Sequence, residues 1–206
     1  ILLLLFLITT FWLKVNFNEN FFYSFRIAIF NITSIFTGTG YTNANYSNWG
    51  GYGLVIMFII MFIGGCAGST TGGIKIFRLL LLFRISTNQI KRLTHPHGVF
   101  ITSFNEKSVD EDTSNSIMIF FFMYILIFII SSILLSLYDL DFITAMSAAA
   151  SAISNVGPGL GGTIGPDGNY ASLPTTAKWI LAITMLIGRL ELFTFLALLS
   201  VTFWKK

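Results

Sequence analysis

Long apolar stretches alternate along this chain with short, glycine-rich polar strips. Residues 116–138 contain no charge and exceed the roughly 20 residues that a helix needs to cross a bilayer. Residues 177–204 form a second such stretch, which is interrupted by Lys178, Arg189 and Glu191. The pattern therefore predicts membrane helices that are separated or broken at defined points.

The same order of apolar and polar positions occurs twice. Residues 25–40 align with residues 142–157 at a constant offset of 117 positions. Further along, residues 61–65 align with residues 185–189 at an offset of 124, so the second outer loop is seven residues longer than the first. Such repetition predicts two copies of one structural unit. Each copy reads as a long apolar helix, a short helix of small residues, a glycine-bearing strip and a second long helix.

Each unit contains a short helix, predicted over residues 25–36 and 142–154, that is followed by non-helical backbone. These helices are too short to span a bilayer, so we expect re-entrant loops. Bare backbone at membrane depth is tolerated only where it is buried in protein or lines an aqueous cavity. Carbonyl oxygens of a Thr/Gly strip can replace the hydration shell of a potassium ion, and the C-terminal end of the preceding helix favours a cation. The alternative is that both strips are ordinary outer loops.

A second glycine cluster lies within the inner helix of the first unit, which is predicted over residues 52–84. Glycine, Ser and Thr at this density break a helix, and broken helices in transporters lie beside the permeating species. We therefore expect an intramembrane loop below the strip that obstructs a pore and moves aside. The alternative is close helix packing through small residues. The cluster consists of Gly64, Gly65, Cys66, Ala67, Gly68, Ser69, Thr70, Thr71, Gly72 and Gly73.

Arg189 follows Gly188 at the corresponding break in the second unit. Ionised side chains inside a membrane are costly and are usually functional. We expect Arg189 to face the pore or the protein interior, where it would repel cations or hold the glycine loop through backbone carbonyls. Glu191 lies two positions further on and so on another face of a helix. We expect Glu191 to pair instead with Lys75 or Arg78.

Composition supports a membrane protein and limits other functions. Hydrophobic residues make up 54% and charged residues 10% of the 206 residues, against about 25% charged residues in soluble domains. The single cysteine excludes an internal disulfide and a multi-cysteine metal site, and we find no nucleophile–base pair, so we expect no enzyme. Basic residues cluster before residue 116 and at the chain's end, which predicts a cytoplasmic connecting segment and C-terminus. His95 and His97 in that segment are expected to be interfacial loop residues rather than metal ligands.

Four motifs, TGTGY, IGGCAGSTTGGIK, NVGPGLG and GRLELFTFLALL, resemble the C-terminal half of TrkH-type subunits in the Trk/Ktr/HKT family of potassium transporters. The resemblance covers essentially the whole chain. It implies four repeats of outer helix, pore helix and inner helix around one pore, of which this chain holds the third and fourth. It also implies that residues 64–73 form the gating loop and that Arg189 is the pore arginine. Two walls of the potassium filter are implied at Thr37, Gly38, Thr39 and Gly40, and at Ser154, Asn155, Val156 and Gly157, with Gly38 standing where we expect a Thr.

The resemblance implies a wider assembly as well. Family members are dimers that bind a cytosolic nucleotide-sensing ring, TrkA in the Trk branch, and they contact the lipid bilayer but no nucleic acid. We expect no cofactor on this chain, K⁺ as the permeating ion and no transition metal. The expected location is a bacterial inner membrane with a cytoplasmic C-terminus. Because the chain begins with an apolar run, residues 1–13, that is too short to span, we expect a fragment that does not conduct alone.

The expected fold is an all-α membrane protein of the potassium-channel type, with a repeated outer helix, a re-entrant pore helix with its filter loop, and a broken inner helix. We expect the third repeat over residues 1–93, a cytoplasmic connecting loop over residues 94–115 and the fourth repeat over residues 116–206. The expected function is potassium uptake. Two alternatives stay open: an ion-coupled carrier for another small solute, which should show more side-chain ligands at the breaks, and a Na⁺-permeable member of the same family.

Overall fold

The computed structural model describes residues 2–66, 68–95, 98, 100, 103–104 and 107–190. In that part the chain forms seven α-helices and two short two-stranded sheets. The helices are α1 (Leu2–Phe17), α2 (Phe21–Thr37), α3 (Gly50–Phe62), α4 (Ile76–Thr94), α5 (Glu111–Ser136), α6 (Phe142–Ser154) and α7 (Thr175–Arg189). Strand β1 (Ile63–Gly64) pairs in parallel with β2 (Ile74–Lys75), and β3 (Ser103–Phe104) pairs antiparallel with β4 (Lys107–Ser108).

The helices form two units of the same kind, as the repeat predicts. In the first unit α1 packs along α2, and the strip after α2 leads through a 3₁₀ turn (Tyr46–Asn48) into α3. In the second unit α5 packs along α6, and the strip after α6 leads through a 3₁₀ turn (Tyr170–Ser172) into α7. Packing of α3 against α6 joins the two units.

The short helix α6 is buried over most of its length because its side chains are small. Ala148, Ala149 and Ala150 are all fully enclosed, and small residues let neighbouring helices approach closely. Gly188 of α7 lies directly against the backbone carbonyl of Ile153, where a Cβ atom would overlap it. The C-terminal end of α6 is therefore held at the centre of the second unit.

Three of the predicted helix boundaries can be compared with the structure. The bounds predicted for α6 are confirmed. The start predicted for α2 is wrong: the helix begins at Phe21 rather than at residue 25, because the Asn20 side chain caps it by accepting a hydrogen bond from the Phe22 amide. Helix α5 begins at Glu111, and its first turn carries two acidic residues that suit a helix N-terminus. The connecting segment is thus shorter than the predicted 94–115, and it contains the unpredicted β3–β4 pair.

Among the described helices, α5 is long and apolar enough to cross a membrane. The second predicted span, residues 177–204, corresponds to α7 as far as Arg189, and residues 191–206 lie outside the described part of the chain. The inner helix predicted over residues 52–84 is broken as expected, into α3 and α4. The all-α fold class is confirmed.

Candidate functional site

Both short helices end in the same left-handed cap. Gly38 has φ +66° and its repeat equivalent Asn155 has φ +55°. The amide of Gly38 donates to Ile35 O at 3.1 Å, and the amide of Asn155 donates to Ala152 O at 3.2 Å. A left-handed residue at this place ends a helix while satisfying its last carbonyls. The cap explains Gly38: glycine adopts this conformation without steric cost, whereas a β-branched Thr would be strained there.

The first strip, residues 37–40, and the second strip, residues 154–157, have the same backbone geometry. The amides of Thr39 and Val156 each donate to a serine carbonyl of the preceding helix, Ser34 O and Ser151 O, both at 3.0 Å. The next residue in each strip is again left-handed, with φ +74° at Gly40 and +110° at Gly157. Left-handed residues therefore occur at the same two positions in each strip.

The two strips are in backbone contact with each other. A Cβ atom at Gly40 would overlap the carbonyl oxygen of Val156 and would lie 3.1 Å from Cδ of Pro158. A Cβ atom at Gly38 would lie 3.4 Å from the carbonyl oxygen of Asn155. The structure therefore brings Gly38 against Asn155 and Gly40 against Val156, so the two strips lie side by side.

Hydrogen bonds to the neighbouring helices α5 and α7 hold the second strip in place. Ser154 Oγ and the Tyr124 hydroxyl of α5 are hydrogen bonded at 2.7 Å, and both residues are buried. Asn155 Nδ2 donates to Met185 O of α7 at 3.2 Å. In the first strip, by contrast, Thr37 and Thr39 have exposed side chains. The hydroxyls of these two threonines lie 3.3 Å apart and each also reaches the carbonyl of a residue in α2.

The glycine cluster forms a closed loop between two paired strands. β1 and β2 pair Ile63 with Ile74 and Gly64 with Lys75, which fixes both ends of the loop. Inside it, the Gly65 amide donates to Thr71 Oγ1 at 2.9 Å. Ser69 Oγ lies 2.6 Å from Thr71 Oγ1 and donates to Cys66 O at 2.8 Å. Glycine is needed at Gly64, because a Cβ atom there would overlap the carbonyl oxygen of Gly72.

The loop lies directly against the end of α6, where the second strip begins. A Cβ atom at Gly72 would overlap the carbonyl oxygen of Ser154, the last residue of α6. Arg189, the last residue of α7, donates from Nη1 to Thr70 O at 2.7 Å. The hydrogen bond expected from Arg189 to a loop carbonyl is therefore present. Loop and arginine together line a cavity of about 80 Å³, which also borders Lys75, Arg78 and Tyr124.

Some of the predicted site residues contribute no contact that can be described. Ala67, His97 and Glu191 lie outside the described residues, so the proposed pairing of Glu191 with Lys75 or Arg78 stays a prediction. Cys66 is a free, exposed thiol. Within the described ranges, no group of three or more His, Cys, Asp or Glu side chains is placed to hold a metal ion.

Sequence reasoning missed two tyrosines that touch the second strip, Tyr124 and Tyr170. Tyr124 lies within an apolar run, where nothing marks its hydroxyl as different from the neighbouring side chains. Tyr170 donates to Gly157 O at 2.9 Å from the outer loop. A signal for Tyr170 was present, because the dipeptides Asn45-Tyr46 and Asn169-Tyr170 are separated by 124 positions, the offset of the downstream repeat.

Comparison with known proteins identifies the family. Residues 4–205 match TrkH, described as a cation transport protein. The chain is 44% identical over 206 residues to the Trk system potassium uptake protein TrkI of Halomonas elongata, covering all of this chain and 42% of that protein. It is 38% identical over 179 residues to TrkH of Escherichia coli K12, covering 87% of this chain and 36% of that protein.

A solved structure agrees with these sequence matches. The crystal structure of the potassium transporter TrkH from Vibrio parahaemolyticus superposes with a TM-score of 0.90 at 35% sequence identity, covering all of this chain and 43% of that chain. The chain thus spans less than half the length of the relatives it matches. On this evidence the chain belongs to the TrkH family and has the all-α membrane fold of that family.

Proposed function

We propose that this chain forms part of a potassium uptake subunit, a transporter rather than an enzyme. In this proposal K⁺ loses its hydration shell alongside the adjacent strips of residues 37–40 and 154–157, and backbone carbonyls replace the lost water. The observation that carries the proposal is the contact between two equivalently capped strips, in which Gly40 lies against the Val156 carbonyl. This contact is made by backbone atoms, which favours a filter over a coupled carrier that would use side-chain ligands.

The same proposal makes the glycine loop a gate. The loop lies on the ion's path below the second strip, with Gly72 against the Ser154 carbonyl. Arg189 holds it there through Thr70 O and places a positive charge where it raises the barrier to cations. Opening requires the loop to leave the Ser154 carbonyl and the Arg189–Thr70 hydrogen bond to break.

We also propose the assembly and orientation that the resemblance implies. The relatives are named as proteins of a Trk system, and a system of that kind fits a homodimer bound to a cytosolic nucleotide-binding ring of TrkA type. In this proposal the chain lies in a bacterial inner membrane with its C-terminus in the cytoplasm. The basic last turn of α4, with Lys91 and Arg92, agrees with a cytoplasmic end. Any nucleotide binds the partner, and K⁺ is the permeating ion.

Ion uptake by a full-length subunit that carries these residues tests the proposal. Reconstituted into liposomes, it should accumulate Rb⁺ as a K⁺ tracer, and excess K⁺ should compete better than excess Na⁺. Equal competition by Na⁺ would favour the Na⁺-permeable alternative. Absolute dependence on a proton or Na⁺ gradient would favour a coupled carrier. No Rb⁺ accumulation by a folded, reconstituted subunit would reject the proposal.

A further inference from the structure

Gly157 is held by two side chains, one on each of the two peptide groups that meet at its Cα atom. Its amide donates to Ser151 Oγ at 3.1 Å, and its carbonyl accepts from the Tyr170 hydroxyl at 2.9 Å. Steric contact does not restrict this residue, because a Cβ atom there would have Gly40 Cα, at 3.9 Å, as its nearest neighbour. Glycine has the widest choice of backbone angles of any residue. The two hydrogen bonds therefore restrain the peptide groups on either side of the Gly157 Cα atom.

The corresponding tyrosine of the first unit makes no such bond. Tyr46 and Tyr170 each follow an asparagine whose side chain caps a 3₁₀ turn: Asn45 Oδ1 accepts from the Ser47 amide at 3.0 Å, and Asn169 Oδ1 accepts from the Ala171 amide at 2.9 Å. The Tyr46 hydroxyl is buried without a hydrogen-bond partner. The tyrosine hydroxyl of this turn therefore donates to the strip in the second unit, whereas the equivalent hydroxyl of the first unit makes no such bond.

The extra length of the second outer loop accounts for this difference. The additional residues lie between Gly157 and Asn169, since the offset changes from 117 to 124 positions there. They fold into a compact turn in which the Gly159 amide donates to Ile164 O at 2.7 Å and the Asn169 amide donates to Thr163 O at 3.1 Å. The turn is anchored to α6 by the Leu160 amide, which donates to Ser147 Oγ at 2.9 Å. Tyr170 is thus carried to the strip on a loop with fixed anchor points.

The Tyr170 hydroxyl is in the right protonation state to donate. Burial raises the pKa of Tyr170 above its ordinary value, and a hydrogen bond with the Ser151 side chain opposes that rise. A phenol with a raised pKa is protonated at neutral pH. The carbonyl of Gly157 keeps a second lone pair, so donation by Tyr170 orients this oxygen without occupying both of its lone pairs.

We propose that Tyr170 is a positioning residue for ion selectivity, which holds the Gly157 peptide so that the outer end of the second strip keeps its spacing. This inference rests on the proposed potassium uptake function. It gives the seven additional residues of the second outer loop a function, which is to place the Tyr170 hydroxyl against the Gly157 carbonyl. It also predicts that the two equivalent tyrosines differ in their effect on selectivity.

Tyr170→Phe in the full-length subunit tests the proposal, with Tyr46→Phe as a matched control in the equivalent turn. Rb⁺ and Na⁺ uptake into liposomes is measured over a range of concentrations, together with thermal unfolding. We expect Tyr170→Phe to lower the Rb⁺/Na⁺ selectivity ratio about two- to tenfold, the range that corresponds to one neutral hydrogen bond. The apparent KM for Rb⁺ should rise more than the maximal rate changes. Tyr46→Phe should leave both quantities at the wild-type values.

Ser151→Ala is a second test, at the adjacent peptide group that carries the Gly157 amide. It removes the acceptor of the Gly157 amide, whereas Val156 bonds to the backbone of Ser151 and keeps its partner. Loss of selectivity in both variants supports the proposal. Wild-type selectivity in Tyr170→Phe overturns it, including when stability falls, because that result shows a structural role only. A wild-type subunit that takes up no Rb⁺ would reject the proposed function itself, and this outcome is distinct from failure of the variant alone.

Discussion

Gly40 and Gly157 occupy equivalent positions but are constrained by different forces. Both have left-handed backbone angles, of +74° and +110°. At Gly40 a side chain is also blocked, because its Cβ atom would overlap the Val156 carbonyl. At Gly157 there is room for a side chain, and the backbone conformation alone disfavours one. Gly157 is therefore the better position for testing the strip by mutation.

Gly157→Ser should reduce the preference for K⁺ over Na⁺. The added Cβ atom disfavours φ near +110°, at a cost of about 1–3 kcal/mol, so the peptide group relaxes and its carbonyl turns. Rb⁺ and Na⁺ uptake by the reconstituted variant measures the effect. Gly162→Ser is the control, since this glycine of the same outer loop has nothing within 4 Å of its Cβ position and no left-handed φ. Unchanged selectivity in Gly157→Ser would contradict the assignment of residue 157 to the filter.

Arg189→Ala should increase potassium flux. An unpaired guanidinium at the bilayer centre costs at least about 2.5–3.5 kcal/mol on insertion scales, and the observed compensation is the hydrogen bond to Thr70 O. Hydrogen bonds to charged groups contribute about 1.5–3 kcal/mol, so loss of this bond from the closed state shifts opening by about ten- to a hundredfold. Arg189→Lys should lie between the two, because lysine keeps the charge but loses the planar fork of donors. Tracer flux is the measurement.

Stability of the same Arg189 variants separates gating from a purely structural role. If Arg189 mainly neutralises a buried carboxylate, truncation leaves that carboxylate unpaired and destabilises the fold strongly. A lower unfolding temperature without a gain in flux would therefore disprove the gate assignment. A gain in flux at nearly unchanged stability would agree with the exposed position of the Arg189 side chain.

Shortening the glycine loop tests the gate at the level of a structural element. A deletion of residues 67–70 spares the β1–β2 pair and removes the carbonyl that Arg189 holds. Flux should rise, and it should depend less on the cytosolic partner, because the obstruction is smaller. Cys66→Ala is a control of unchanged length, since only the backbone carbonyl of Cys66 takes part in the hydrogen bonds described for the loop. A shortened subunit that folds but conducts no better would mean that the loop serves helix packing.

The elements differ in how far local sequence determines them. Helix α6 was predicted with correct bounds because a run of small residues lies between Asp141 and the left-handed cap Asn155. The start of α2 was misplaced because the first turn, after its cap Asn20, continues the aromatic pattern of the preceding residues. The β1–β2 pair was missed because a strand of two residues is too short to show periodicity. It forms only because α3 and α4 bring its halves together.

At the scale of the whole molecule, side-chain hydrogen bonds between the two outer loops tie the units together. Asn45 Nδ2 donates to Asp167 Oδ2 at 2.6 Å, and Ser47 Oγ accepts from the Gly161 amide at 3.1 Å. Thr42 Oγ1 donates to Pro166 O at 3.3 Å. All three bonds join the outer loop of the first unit to the longer outer loop of the second.

Ser47→Ala should lower the stability of the subunit by about 1 kcal/mol, because it leaves the partly buried Gly161 amide without an acceptor. Thermal unfolding of the purified protein measures the change. Asn48→Ala, at an exposed position in the same 3₁₀ turn, should be neutral. If both variants unfold at the wild-type temperature, the contact between the loops does not contribute to the packing of the two units.

The general position of the site was readable from the sequence, whereas its supporting contacts were not. The repeat predicts two equivalent strips and the glycine cluster predicts a broken helix, and the structure contains both. Contacts such as Tyr170 with Gly157, Tyr124 with Ser154 and Gly72 with the Ser154 carbonyl join elements that are distant along the chain. They depend on how the helices pack, which residue types and spacing alone do not determine.

Helix α4 follows strand β2 without an intervening residue, so a movement of the helix is passed directly to the glycine loop. Strand β2 ends at Lys75 and α4 begins at Ile76. The base of the glycine loop is therefore joined directly to a helix of 19 residues, which is about 28 Å long. A tilt of roughly 10° about the C-terminal end of α4 moves its N-terminal end by about 5 Å. That travel is enough to separate Arg189 from Thr70, which are joined over 2.7 Å. A tilt of α4 therefore displaces the base of the loop without any helix unwinding.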